Sequence, residues 1–144
     1  MNHMTKVILI SAGDPDSIST EITIKAIQHS KMNKNIKPGV VSNSKIIEDC
    51  KKSIGSKIQL NEIKDKVNFS DFKENFLNIL SIKLPDDNIF GNSNTKYASF
   101  IKDSIITCVK TEMNSVASAI VTNPINKNMM YRSGFDFQGH TDFL

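Results

Sequence analysis

Lys6-Val-Ile-Leu-Ile-Ser-Ala12 is an unbroken, largely β-branched apolar run closed at once by Gly13-Asp14-Pro15. A strand without polar alternation is one buried on both faces, and such strands belong to parallel sheets covered by helices on either side. A helix pattern follows directly. Ile18, Ile22, Lys25-Ala26 and His29 fall on helical spacing, with Asp16 or Ser17 as the N-cap. Strand, loop and helix therefore form the first unit, and Gly39-Val-Val-Ser42 reads as the second strand. Ser44 then caps a short helix through Cys50 that turns Ile46 and Ile47 inward.

Between Gly55 and Gly91 the periodicity is weakest. It yields short strands at Lys57–Leu60 and Val67–Phe69 and a turn cluster at Leu84-Pro-Asp-Asp-Asn88. From Ser93 the pattern sharpens, because Tyr97, Ile101, Ser104-Ile105, Cys108 and Val109 make one stripe behind a cap at Ser93 or Asn94. This helix leads into a second buried strand, Val116–Val121. The loop Thr122-Asn-Pro-Ile then opens a short helix that Gly134 ends as a residue of left-handed conformation. Alternating elements joined by short connections define the α/β class, and 144 residues suit one domain.

Charge and cysteine usage exclude several partners. The formal charge is +3, and the lysines alternate with acids in Glu62-Ile-Lys-Asp-Lys66 and Asp71-Phe-Lys-Glu74, which is a solvated surface and not a nucleic-acid stripe. Cys50 and Cys108 lack any CxxC spacing, so both read as free thiols in a reducing cytoplasm. Val7–Ile10 is too short for a signal segment or a membrane span. No nucleic acid and no membrane are expected.

Three loops carry functional side chains. Gly13-Asp14-Pro15 precedes a helix start, where backbone N–H groups favour an anion and Asp14 could meet a hydroxyl or a cation; the alternative is a plain turn. Thr122-Asn-Pro-Ile-Asn-Lys127 offers a hydroxyl, two amides and an ammonium suited to a phosphate or polyol, or else a solvated first-turn lysine. In Gly139-His140-Thr141, glycine lets a ligand approach, threonine donates or accepts, and histidine orients a hydroxyl or moves its proton. No metal-ligand spacing links His3, His29 or His140 to acids or cysteines.

Together these loops resemble the PdxA family, the NAD-dependent 4-hydroxythreonine-4-phosphate dehydrogenases of pyridoxal phosphate biosynthesis. That family's opening Gly-Asp-Pro-Ala-Gly-Ile-Gly-Pro-Glu is matched by Gly13-Asp-Pro-Asp-Ser-Ile-Ser-Thr-Glu21. Its Thr-x-Pro-Ile-Asn-Lys and Gly-His-Thr-Glu-Phe are matched by Thr122–Lys127 and Gly139-His-Thr-Asp-Phe143. Ser17, Ser19 and Thr20 stand where the opening motif has two glycines and a proline, which predicts a loop of altered shape.

The resemblance implies an isocitrate/isopropylmalate dehydrogenase-like α/β/α fold, here truncated, with residues 1–144 forming its N-terminal part. It implies oxidation of a phosphorylated hydroxy-amino acid with NAD, followed by decarboxylation, in a cytoplasmic homodimer using a divalent metal (Zn, Mg or Co). His140 and Thr141 become substrate-binding residues and Lys127 a further candidate. No catalytic residue is assignable, the cofactor contacts are unknown, and the family's metal ligands fall outside this chain. Activity would then require a companion C-terminal polypeptide. The alternatives are a non-catalytic relic whose sheet cannot bury both faces, or a small phosphometabolite-binding module.

Overall fold

The computed structural model describes residues 5–30, 33–64, 66–85, 96–136 and 143. Its frame is a sheet of parallel strands β1 (Lys6–Ser11), β2 (Ile36–Ser42), β3 (Gln59–Ile63), β4 (Phe76–Ser81) and β5 (Ala119–Val121). Their spatial order is β3-β4-β2-β1-β5. Helices α1 (Ser19–His29), α2 (Ser44–Ser53), α3 (Tyr97–Met113) and α4 (Lys127–Arg132) complete the described elements.

Handedness explains which helix covers which face. Crossovers between parallel strands are right-handed, so a connection running one way along the sheet lies on one face and a connection running back lies on the other. The chain runs from β1 outward to β2 and β3 through α1 and α2, which pack side by side. On that face Ile24 of α1 and Ile47 of α2 meet Val40, Leu77 and Ile79. The return to β4 and the long step through α3 to β5 cover the opposite face, where Phe72 and Cys108 meet Val7, Leu9, Val41 and Leu80. Strand alternation delivers Val40 to one core and Val41 to the other. The central strands β2 and β4 bury residues on both faces, while β1 buries Val7 and Leu9 on one face and leaves Ile8 and Ile10 half-buried on the other. The apolar surface left open includes Val121 on the β5 edge, which is 50% exposed.

Several predicted boundaries move. β2 begins at Ile36 and takes in Pro38, which is tolerated because the pairing of β2 with β4 starts only at Gly39 opposite Asn78. Gly39 itself is enclosed: a Cβ there would lie 2.8 Å from Phe72 Cε1 and 2.9 Å from Leu9 Cδ2. The cap of α2 is Asn43, whose side chain accepts from Lys45 N–H at 3.0 Å, while Ser44 is the first helical residue. The strand expected at Val67–Phe69 is instead the approach to a single 3₁₀ turn, Phe69–Asp71. There the Asp71 carboxylate takes the N–H of Asn68 at 2.7 Å, a local bond that outcompetes extension. The expected strand at Lys57–Leu60 is shifted to Gln59–Ile63, and β4 falls in a stretch where none was foreseen. Of the strand expected over Val116–Val121 only Ala119–Val121 pairs, since the amides of Val116 and Ala117 close the end of α3 on Thr111 O.

Of the α3 stripe, Tyr97, Ile101, Ser104, Ile105 and Cys108 are buried as predicted, whereas Val109 is only half-buried and Phe100, outside the stripe, is buried too. Its expected caps, Ser93 and Asn94, lie outside the described residues, as do Asp86 to Asn88 of the turn cluster. Gly134 follows α4 at φ +84°, as its role as a terminator requires. No helix among the described residues is long and apolar enough to cross a membrane.

Candidate functional site

The loops after β1 and β5 meet at the carboxyl edge of the sheet. β1 and β5 are neighbours whose helical connections lie on opposite faces, the switch-point arrangement beside which open α/β sheets take ligands. Gly13, at φ +69°, turns the chain out of β1. Asp14 follows, 4% exposed, its Oδ1 accepting the N–H of Asp16 at 3.0 Å. After β5, Asn126 caps α4 by accepting the N–H of Met129 at 3.1 Å, which leaves Lys127 exposed on the first helical position. His140 and Thr141 lie outside the described residues.

Asn123 joins the two loops. It is 6% exposed, and its Nδ2 donates to Ser11 O at 2.9 Å and to Thr23 Oγ1 at 2.7 Å, while its own N–H reaches Ser11 Oγ at 3.2 Å. Thr23 in turn donates to Ser19 O at 2.9 Å, and Ser19 Oγ donates to Pro124 O at 3.1 Å. From the other side, α3 contributes Ser104, which takes the N–H of Ala12 at 2.8 Å and donates to Val41 O at 2.6 Å. Five segments therefore share one buried polar network at the sheet edge.

This network corrects the sequence reading of α1. Ile18 and Ile22, expected on the inner face, are 64% and 37% exposed, and the buried face carries Ser19, Thr20, Thr23 and Ile24. The helix turns its hydroxyls inward because the facing loop presents an amide and a carbonyl that need partners in the absence of water. Neither Asp16 nor Ser17 is the N-cap; that position is Ile18, although Ser17 Oγ accepts the N–H of Ser19 at 3.1 Å. The anion expected at this helix start meets poor conditions, with that N–H already taken and two carboxylates alongside. Sequence reasoning missed Ser19, Thr23 and the linking role of Asn123. The available signal was the small polar stripe Ser19, Thr20 and Thr23, at a spacing that places it on one helix face beside Ile24.

Asp16 is the irregular member. Both of its carboxylate oxygens are shielded and unpartnered, and desolvation, then the charge of Asp14, raises its pKa above the ordinary 3.8. A raised carboxylate pKa weakens the fold when the group is ionised. The effect is absent below the ordinary value and grows as pH rises through the folded one. Asp16→Asn is therefore expected to melt higher than the parent chain at neutral pH, with the difference shrinking as pH falls towards 3.8. Thermal melts across that range test this, and a pH-independent difference would contradict it. Both cysteines are free; burial raises the Cys108 thiol to about 12, and burial and then Glu21 raise that of Cys50, so neither is an activated nucleophile.

A parallel sheet covered by helices, with two marked loops joined at its carboxyl edge, defines the class as an α/β protein. Comparison with known families then gives the particular one. The family described as "Pyridoxal phosphate biosynthetic protein PdxA" matches residues 34–144, and the chain belongs to that family. It is 31% identical over 138 residues to a 4-hydroxythreonine-4-phosphate dehydrogenase of Sulfurihydrogenibium sp., covering 95% of this chain and 41% of the relative. It is 25% identical over 145 residues to a D-threonate 4-phosphate dehydrogenase of Cupriavidus necator, covering 43% of that protein. Among solved structures, a 4-hydroxythreonine-4-phosphate dehydrogenase from Burkholderia phymatum superposes with a TM-score of 0.83 at 25% identity, over 96% of this chain and 42% of its own. These neighbours bear out the dehydrogenase-like α/β fold. The chain spans about two fifths of the length of the curated relatives it matches.

Proposed function

We propose that this chain is the N-terminal part of a PdxA-like domain and supplies one wall of the binding site of an NAD-dependent dehydrogenase for a phosphorylated hydroxy acid. The observation that carries this reading is the joining of the Gly13–Pro15 and Thr122–Lys127 loops at the carboxyl edge, where Asp14 N–H donates to Pro124 O at 3.4 Å, in a chain whose relatives are named for such substrates. Lys127 contributes a cation beside a helix start, and an ammonium there attracts phosphate as a point charge. Thr141 would hydrogen-bond the substrate, and His140 would orient its hydroxyl. Both assignments rest on the matched Gly-His-Thr motif.

The divalent metal implied by the family finds no support on the described residues, since no group of three or more His, Cys, Asp or Glu among them is placed to hold one. The role assigned to this chain is accordingly binding and orientation. Oxidation with NAD, the decarboxylation that follows it, homodimer formation and a cytoplasmic setting are carried as properties of a completed enzyme. That enzyme would comprise this segment together with a part equivalent to the rest of its relatives' length.

Co-expression with a second polypeptide built from the remainder of the Sulfurihydrogenibium relative tests the proposal. NADH formation from 4-hydroxythreonine 4-phosphate is expected only in the complex, and Lys127→Ala is expected to raise KM about tenfold, as loss of one charge-assisted phosphate contact does. A folded, associated complex without turnover would refute the dehydrogenase reading.

A further inference from the structure

Ser17, Ser19 and Asn123 are departures from, or free positions in, the two motifs that this chain otherwise follows, and Ser19 and Asn123 reach across from one to the other. Ser17 Oγ donates to Asp14 O at 2.7 Å and lies 2.7 Å from Ser19 Oγ, which reaches Pro124 O at 3.1 Å. Two hydroxyl protons serve these three contacts, so with Ser17 donating to Asp14 O and Ser19 to Pro124 O the contact between the two hydroxyls holds no proton of its own. Thr23 and Asn123 add the deeper bond, 2.7 Å long and fully enclosed. Decay of a glycine loop would leave added polar groups unpaired. Here Ser17 bonds within its own loop, Ser19, Thr23 and Asn123 find partners across the junction, and among the described buried polar side-chain atoms those of Asp16 alone are left without one.

We propose that Ser19 and Thr23 are positioning residues: they clasp Asn123 and Pro124 and so fix where α4 begins and where Lys127 is presented. The span is short. Asn126, two residues past Pro124, caps α4 through Met129, and Lys127 is the next residue. With Asn123 held by strand β1 at Ser11 and by α1 at Thr23, the segment has little freedom to rotate. The two loops therefore act as one unit, set before any ligand arrives. Preorganisation of this kind lowers the ordering cost of binding and appears in KM before kcat.

The proposal rests on the binding role given above to the Thr122–Lys127 segment, and its test separates the two. Thr23→Val keeps the shape of the side chain and removes its hydroxyl; Thr23→Ser restores the hydroxyl. In the isolated chain, amide hydrogen exchange at Asn123, Met129 and Met130 is expected to be about tenfold faster in Thr23→Val, with Ile79 and Leu80 of β4 unchanged and Thr23→Ser close to the parent. Unchanged exchange at Asn123, or acceleration spread equally through β4, would overturn the clasp. In the completed enzyme Thr23→Val is expected to raise KM for the phosphorylated substrate about fivefold at constant kcat, with Thr23→Ser restoring it. Faster local exchange with an unaltered KM would overturn the positioning role. Absence of turnover in the parent complex would instead count against the dehydrogenase reading and leave the exchange result to decide the clasp.

Discussion

Gly13→Ala is expected to destabilise the chain by about 4 kcal/mol and to lower its melting temperature by roughly 13 °C. Two effects add. Residue 13 holds φ +69°, where a side chain costs about 1–2 kcal/mol. A Cβ would also stand 2.6 Å from Ser19 Oγ, 2.7 Å from Asn123 Cβ and 2.8 Å from Pro124 O. Ser19 cannot rotate away without leaving Pro124 O, and Asn123 cannot move without breaking its bonds to Ser11 and Thr23. The cheapest response is to separate the two loops, so the damage should reach Lys127 more than one hundred residues away in sequence. Thermal melting with amide exchange at Asn123 checks this. A loss below about 1 kcal/mol would mean that the loops are less tightly joined than their geometry shows.

That junction also marks where reading the sequence succeeds and where it stops. β1 and most of the α3 stripe were legible because an apolar strand, or one apolar helical face, is written within a short window, although Ile8 and Ile10 of β1 are only half-buried. Val7 and Leu9 are apolar because of where they sit, whatever their partners. The inner face of α1 was not legible in the same way. Ser19 and Thr23 are buried because Asn123 and Pro124 lie opposite, and a hydrogen bond between residues one hundred positions apart leaves no local period. The exposed Ile18 and Ile22 then supplied a false stripe. The carboxyl-edge loops themselves were recognisable, since Gly, Pro, Asn and Lys crowd there as turn and ligand chemistry requires. Their mutual contact was not. In the middle of the chain, Val67–Phe69 had strand composition, but Asn68 and Asp71 bond each other into a turn. β4 escaped notice because Asn78 interrupts an otherwise apolar Phe76–Leu80 run.

Asn78 is the site of the second large effect. It is fully buried, with Nδ2 donating to Pro38 O at 2.8 Å and Lys73 O at 3.0 Å, and Oδ1 accepting from Lys73 N–H and Asn61 Nδ2, each at 2.8 Å. The bond to Pro38 matters because the β2–β4 ladder begins one residue later, at Gly39 opposite Asn78, so the side chain extends the ladder past its backbone end. The bonds to Lys73 fold the turn leading into β4. Asn61, which also donates to Asp71 O at 2.9 Å, ties the edge strand β3 and the 3₁₀ turn to the same amide. Asn78→Leu keeps the branching of the side chain in a somewhat larger volume and removes every bond of the Asn78 amide, leaving buried or half-buried donors and acceptors without partners. The expected cost is about 3 kcal/mol, a fall of roughly 10 °C in melting temperature. Among the described residues β3 pairs only with β4 and should loosen first, so amides of Gln59–Ile63 are expected to lose protection well before those of β1. Equal loss of protection in β1 and β3 would show that Asn78 supports the whole sheet and not this edge of it.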